Sequence, residues 1–352
     1  MDTITHALSG ALVARVAAPS KTLPAAPTTP ELMTAGALAA MFPDCDILAA
    51  FISPLTYLTA HRGLTHSFLL LPLWTVLLAL LIGLATRKLP AWRAYLPVCA
   101  LGVGIHILGD WITSFGTMFL APVSRHRFAL GTTFIIDLVF TGIIVAGLLA
   151  SLLWRKSRVP AAAALVVLSG YVALQGWLRQ DAIDLGERYA RDNGLIGAQV
   201  DVLPRPPLPS NWTVVVSGDE EYRFAHVNLW LGSVPDLAQD AGLIGRMHAA
   251  FLPSAKAVWE ARTRFGLSEA DHRLALDAWS QREFAVYRWF AELPALYRID
   301  HGDRSTCVWF EDLRFLVPGR AVSPFRYGLC RERAGPWGLF KLTADGMPAS
   351  LR

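Results

Sequence analysis

Charge is scarce in this chain and long basic blocks are missing. Asp, Glu, Lys and Arg make up only 17% of 352 residues, no five Lys or Arg stand together, and no basic stripe interleaves with aromatics. A formal net charge of +4 spread so thinly argues against a nucleic-acid partner. Cysteine is also sparse. The four are never spaced CxxC, which argues against a thiolate zinc site or a dithiol redox motif. There is no HExxH helix, no GxSxG elbow and no Walker loop, so zincin, serine-hydrolase and nucleotide-cleaving chemistries find no support. The first residues, MDTITHALSGALVARV, lack the basic region of a signal peptide and carry an acid and a histidine instead; this segment is expected to stay in the mature protein.

What the chain has in excess is apolar sequence. Hydrophobic residues reach 53% and mean hydropathy +0.38, and nearly all of that excess lies before residue 180. The expected architecture is a multi-pass α-helical membrane domain, residues 1–180, followed by a soluble α+β domain with an antiparallel sheet, residues 181–352. Spans are expected near 68–85, 94–112, 133–154 and 159–178, after an N-terminal helical hairpin over 3–43 whose two apolar segments, 3–18 and 32–43, are short. The hairpin either enters the bilayer partly or spans it thinly. Beyond LPRPPLP, read as a stiff linker, the segments WTVVVS, YRFAHVNLW, TCVWF, DLRFLV, FRYGLCR and WGLFKL read as strands. Residues 244–262 and 268–291 have helical periodicity. Cys45, between two aspartates, reads as a small buried residue. Cys307 and Cys330 fall in strand-like segments and could bridge in an oxidising compartment.

Lys and Arg in the short loops set the orientation. Arg87, Lys88 and Arg93 in one loop and Arg155, Lys156 and Arg158 in another mark the cytoplasmic side, and Arg15 and Lys21 at the hairpin tip agree. The stretch HRGLTHS (61–67), the 113–132 loop and everything after residue 178 then fall on the other side, although Arg125 and Arg127 go with them.

Ionisable groups in membrane segments are costly and mark function by default. Asp2 and His6, Asp44 and Asp46, His61 and His66, His106 and Asp110, and Asp137 come from five separate segments, yet all map to the outer interface. Imidazole nitrogen with carboxylate oxygen and no thiolate suits zinc, manganese or iron, and this set suffices for one to three ions. Arg62, Arg125 and His126 could hold an anionic group near such a centre. Simpler roles compete: Asp2 as a helix cap, Asp44 and Asp46 as a turn after Pro43, Asp137 as the partner of an arginine, His126 as a solvated loop residue. His61 and His66 are five apart, about 140° round a helix, so Gly63 has to break the backbone if both face one site. Gly102 and Gly104 favour close helix packing.

The ordered set THALSG, PDCD, HRGLTHS, HILGDWITSFGTMFLAP and FIIDLVF resembles the YdjM-like family of predicted membrane-bound metal-dependent hydrolases, over roughly residues 1–180. DLRF at 312–315 is similar to a late motif of its longer bacterial members. The resemblance implies a multi-pass inner-membrane protein with a His/Asp metal site at His6, Asp44, Asp46, His61, His66, His106, Asp110 and Asp137, and a phospholipase-like activity. By analogy, the closing HxxxD is similar to zinc-dependent phospholipases C.

The expected function is therefore a membrane-embedded, metal-dependent hydrolase. Its site would cleave a phosphoester or other ester of a lipid or lipid-linked substrate, with Asp44 or Asp110 as base and Arg62 on the anion. The expected C-terminal domain is periplasmic; nothing in the sequence sets the oligomeric state. The alternative is a non-enzymatic protein, for ion handling or envelope assembly, in which the His/Asp layer is structural. A transport path would carry polar residues through to the cytoplasmic face, and here they stop at one interface.

Overall fold

The computed structural model describes residues 1–19, 26–234, 242–302, 304–318, 320, 323–332, 335–343 and 345–351; Lys21 lies outside them. The chain divides into two compact units, one made of Met1–Ala49 with Ala60–Trp177 and the other of Ala50–Thr59 with Leu178–Arg352.

The first unit is helical. Its core helices are α1 (Thr3–Ala17), α2 (Thr29–Met41), α4 (Leu71–Ala85), α5 (Leu96–Trp111) and α6 (Leu138–Leu153), together with the part of the long α7 (Val159–Asp192) up to Trp177; the short α3 (Pro54–Ala60) before α4 falls almost wholly in the second unit. Asp2 caps α1 by accepting from the Thr5 amide at 3.0 Å, and Thr28 with Glu31 forms a capping box on α2. The helix does not stop at Pro43 in a turn. It tightens into a 3₁₀ segment over Phe42–Phe51, because proline cannot donate the next α-helical bond. Thr29–Phe51 thereby becomes a continuous apolar stretch of 23 residues. Cys45 is exposed, contrary to the sequence reading: at about three residues per turn it points away from the side taken by Asp44 and Asp46.

Among the described residues, three helical segments are long and apolar enough to cross a membrane, Thr29–Phe51, Leu89–Trp111 and Val159–Asp192. A fourth exists if Pro54–His66 and Leu71–Ala85, bent by 80° at their junction, count as one broken span. The expected 133–154 span is shorter, because α6 begins only at Leu138 with Asp137 as its cap. The expected 68–85 helix begins at Leu71, with Pro72 in its first turn.

Glycines let α1, α2 and α5 touch. A Cβ on Gly102 would lie 2.6 Å from the Gly36 carbonyl oxygen, and one on Gly36 would lie 2.6 Å from the Gly10 carbonyl oxygen; small residues are what membrane helices use for such approach. Gly104 faces more open space, its nearest neighbour being Leu71 at 3.9 Å. Around these contacts Leu32, Ala35, Val98, Val103 and Ile107 form one core cluster, while Leu12, Phe140, Ile144 and Leu168 belong to a second.

At one end of this bundle the basic loops are tied down. Arg15 donates to the carbonyls of Arg155 and Ser157, both at 2.7 Å, and Lys88 pairs with Glu31 at 2.7 Å. Because α1 starts beside His6 and ends at Arg15, the His/Asp residues sit at the other end.

The second unit contains two five-stranded sheets. In the first, β1 (Gln199–Pro204), β2 (Asn211–Ser217) and β3 (Glu221–Asn228) run antiparallel, β5 (Glu260–Thr263) pairs antiparallel with β3, and β4 (Leu252–Pro253) joins β3 in parallel. The second is an antiparallel meander in the order β10-β9-β8-β7-β6, from β6 (Pro294–His301) and β7 (Ser305–Asp312) to β8 (Tyr327–Glu332), β9 (Gly338–Leu342) and β10 (Pro348–Ser350). Cys307 and Cys330 stand opposite each other on β7 and β8 and are disulfide-bonded. Helices α8 (Leu243–Ala249), α9 (Glu269–Ser280) and α10 (Ala285–Phe290) complete the unit.

Three sequence readings change here. Helical periodicity over 244–262 holds only for α8, since 260–263 is taken by β5 along the edge of β3. The 268–291 helix breaks between α9 and α10. DLRF is a 3₁₀ turn rather than a strand, because Asp312 accepts from the Arg314 amide at 3.0 Å and from its guanidinium at 2.7 Å, pulling the backbone round.

Candidate metal centre

The site begins with a break in the chain. After α3 the backbone of Arg62 takes φ +59°, a left-handed conformation that bulky residues rarely adopt. Two hydrogen bonds hold it there: the Arg62 amide donates to Asp46 Oδ2 at 2.9 Å, and the Arg62 carbonyl accepts from the Met118 amide at 2.9 Å. Gly63 then turns sharply; a Cβ there would sit 2.7 Å from the Ala60 carbonyl oxygen. A single 3₁₀ turn, Leu64–His66, follows. The bend thus separates His61 from His66 as their spacing requires.

Four side chains converge: Asp44, His66, His106 and Asp110 each offer a donor atom, all within 4.8 Å of one another. His106 Nδ1 lies 2.6 Å from the Ala40 carbonyl oxygen. A carbonyl only accepts, so Nδ1 carries the hydrogen and the neutral ring presents its Nε2 lone pair to the cluster. His66 Nδ1 faces Asp46 Oδ2 at 3.4 Å, which favours the same tautomer. The two Nε2 atoms are 2.9 Å apart. Asp110 Oδ2 lies 3.1 Å from His66 Nε2 and 3.6 Å from His106 Nε2, and Asp44 Oδ1 lies 3.7 Å from His106 Nε2. A tetrahedral ion with bonds of about 2.0–2.2 Å needs donor separations of about 3.3–3.6 Å, and these values bracket that range. Asp110 Oδ2 is moreover buried without an aligned hydrogen bond. The donor set fits a metal.

The surrounding residues hold these donors in place. Thr3 donates to Asp44 Oδ2 at 2.6 Å. His6 stacks on His106, centroids 3.7 Å apart, with its Nε2 3.1 Å from Asp110 Oδ1. Arg62 Nε stands 2.9 Å from Asp110 Oδ2, and the Met1 ammonium contacts Oδ1. Asp46 serves four partners: the Arg62 amide, the Thr65 hydroxyl, His66 and His61, whose Nδ1 is 2.7 Å from Asp46 Oδ1. Burial is nearly complete for His6, Arg62, His66, His106 and Asp110, at 0–1% side-chain exposure, whereas Asp44 keeps 16% and His61 13%.

The structure therefore sorts the eight metal candidates. Asp44, His66, His106 and Asp110 come together, while His6, Asp46 and His61 surround them. Asp137 is apart. It accepts from the Val139 and Phe140 amides at 2.9 Å and from Tyr171 Oη and Gln175 Nε2 at 2.8 Å, as cap of α6 and anchor for α7. Of the catalytic candidates, Asp44 is the partly exposed carboxylate; Asp110 is buried among cations, and Arg62 is buried on Asp110 rather than presented to an anion. Arg125 and His126 are exposed. Sequence reasoning passed over the Ala40 carbonyl, Phe115 and the role of Arg127. A backbone acceptor leaves no trace in residue type, but Arg127 was visible as a cation in a loop expected on the outer side.

A helical bundle with three segments long and apolar enough to cross a membrane, and at one end a His/Asp cluster that could hold a metal ion, defines the class as a multi-pass membrane protein. The chain belongs to the family described as YdjM inner membrane protein, whose signature matches residues 1–182. It is also 26% identical over 178 residues to the uncharacterized protein YfhP of Bacillus subtilis (strain 168), covering 50% of this chain and 52% of that protein. The chain thus spans about half the length of this curated relative. No solved structure matches it.

Proposed function

We propose that this protein is a membrane-embedded, metal-dependent hydrolase acting on an ester, best a phosphoester, of a lipid or lipid-linked substrate. The convergence of Asp44, His66, His106 and Asp110 within 4.8 Å carries the reading. Zinc suits two imidazoles and two carboxylates best, and manganese or iron would also be accepted. When bound, the metal supplies Lewis acidity that polarises an ester oxygen and eases the ionisation of water. The chain's own residues do the rest. His66 and His106 present Nε2, and Asp110 presents Oδ2 while its other oxygen is held by His6 and the Met1 ammonium. Access is from the side of Asp44 and His61, the two groups with exposed surface. His61, hydrogen-bonded to Asp46 through Nδ1, is placed to carry a proton at Nε2.

The outer, periplasmic side is the proposed location of the cluster and of the second unit. In support, Arg15, Lys88 and the 155–158 loop gather at the other end of the bundle, and the Cys307–Cys330 bridge suits an oxidising compartment.

Metal analysis of the purified full chain tests the reading. At least one equivalent of transition metal is expected, lost in His106→Ala and His66→Ala, with ester hydrolysis lost in parallel and restored by metal after chelation. A folded wild-type protein that binds no metal would overturn it. One observation favours a structural layer instead: Asp110 is already neutralised by Arg62 and the Met1 ammonium. In that case His106→Ala would lower accumulation without changing any metal content.

A further inference from the structure

The loop 113–132 carries Arg125, His126 and Arg127 and no acidic residue. Cations on the outer side run against the topology rule, so they need a local reason. The loop is not a loose solvated arm. Thr117 and Phe128 exchange backbone hydrogen bonds at 2.9 and 3.0 Å, and Met118 is tied to the Arg62 carbonyl. This short ladder folds Arg127 back onto the site. Its Nη1 donates to the Gly116 carbonyl at 3.3 Å and its Nη2 to the His61 carbonyl at 3.4 Å. Gly116, at φ +85°, makes room for it, since a Cβ there would lie 2.8 Å from the Arg127 Cβ.

Phe115 links this cation to the metal cluster. The Arg62 guanidinium carbon is 4.8 Å from the Phe115 centroid and that of Arg127 is 5.1 Å away, while the His61 ring meets its edge at 5.1 Å. Two guanidiniums thus share one ring. Arg62 is committed to Asp110 and buried; Arg127 stands one ring further out, with the exposed Arg125 two residues away. Arg127 lies beside His61 through the His61 carbonyl, on the partly exposed side of the cluster. Guanidinium matches the oxygens of a phosphoryl group through a planar fork, and an aromatic face fixes its plane.

We propose that Arg127, set on Phe115 and assisted by Arg125, forms an anion-recognition edge that selects a substrate bearing a negatively charged phosphoryl group. This deepens the hydrolase reading and rests on it for the word substrate, but binding itself does not require catalysis. Arg127 is a specificity residue here, distinct from the four donors.

The test is calorimetric binding of two probes, inorganic phosphate and dihexanoyl phosphatidate, to the full chain in detergent. Metal content is measured on the same samples. Arg127→Gln is expected to weaken binding at least tenfold and Arg127→Lys to recover part of it, with metal content unchanged; Arg125→Gln is expected to weaken it severalfold. Should Arg127→Gln fail to fold, the exposed Arg125 position decides. Dependence with phosphatidate alone assigns the anion to a lipid headgroup, and dependence with phosphate alone assigns it to a free phosphate. Affinities unchanged within twofold, or a wild type that holds metal yet binds neither probe, would overturn the proposal and leave the metal reading standing. Arginine-dependent binding by a metal-free wild type would do the reverse.

Discussion

Asp46 shows how much one side chain can organise. A carboxylate that offers one oxygen to His61 and the other to His66 and the Arg62 amide fixes two ring orientations and a left-handed residue at once. Partners of this kind commonly change metal affinity 10–100-fold when removed. Asp46→Asn is therefore expected to weaken metal binding by about that factor in chelator competition, with the fold retained. A second residue-scale expectation concerns His226 in the other unit. Arg205 Nε donates to Thr213 Oγ1 at 2.8 Å, leaving that hydroxyl hydrogen for His226 Nδ1, also at 2.8 Å. Burial first, and then the Arg205 charge, lowers the His226 pKa from 6.5 to about 3. The unfolded chain therefore takes up a proton that the folded chain refuses. Stability is full above about 6.5 and declines as pH falls toward 3, by up to about 1.4 kcal/mol per pH unit. Tryptophan fluorescence melts at pH 7, 5 and 4 should show this slope, and His226→Gln should flatten it.

At the scale of elements, helix packing decides whether the cluster assembles. His106 and Asp110 reach their partners only because α5 lies close against α2 at Gly102 and Gly36. Gly102→Val would force these backbones apart, and removing close packing from a membrane interface has no hydrophobic compensation. Reduced accumulation and loss of metal together are expected, read by blotting and metal analysis. A Gly104→Ala control, facing open space, should be nearly silent. The helices themselves were legible from their apolar runs, and strands β2, β3, β7, β8 and β9 from β-branched and aromatic content. Their ends were not. Pro43 looked like a stop because proline ends α-helices, but its fixed φ is compatible with a 3₁₀ turn and the chain continues in that form to Phe51. The helical pattern over 260–263 yielded to an open edge on β3.

For the whole molecule, the testable quantity is orientation. Alkaline phosphatase fused after residue 352 is expected to be active, and a fusion in the 86–93 loop inactive; the opposite pattern would place the His/Asp cluster on the cytoplasmic side. Thiol-trapping gels should show Cys307 and Cys330 oxidised in cells while Cys45 and Cys99 remain reactive after unfolding. Both outcomes depend on how the basic loops settled during insertion.

By itself the sequence determined the membrane character, the division into an apolar and a polar half, and the layer at which the His and Asp residues collect. Those are one-dimensional properties, fixed by hydropathy, loop charge and segment length. Only the tertiary structure decided which residues share a centre. Asp137 has the same residue type and predicted depth as Asp110, yet it caps α6 because the Val139 and Phe140 amides of that helix are its nearest donors. Asp110 enters the cluster because α5 packs on α1 and α2 through glycine contacts. HRGLTHS bends because Asp46, from sixteen residues earlier, holds the backbone of Arg62. Contact between distant segments is set by packing, and packing is not written in any single stretch.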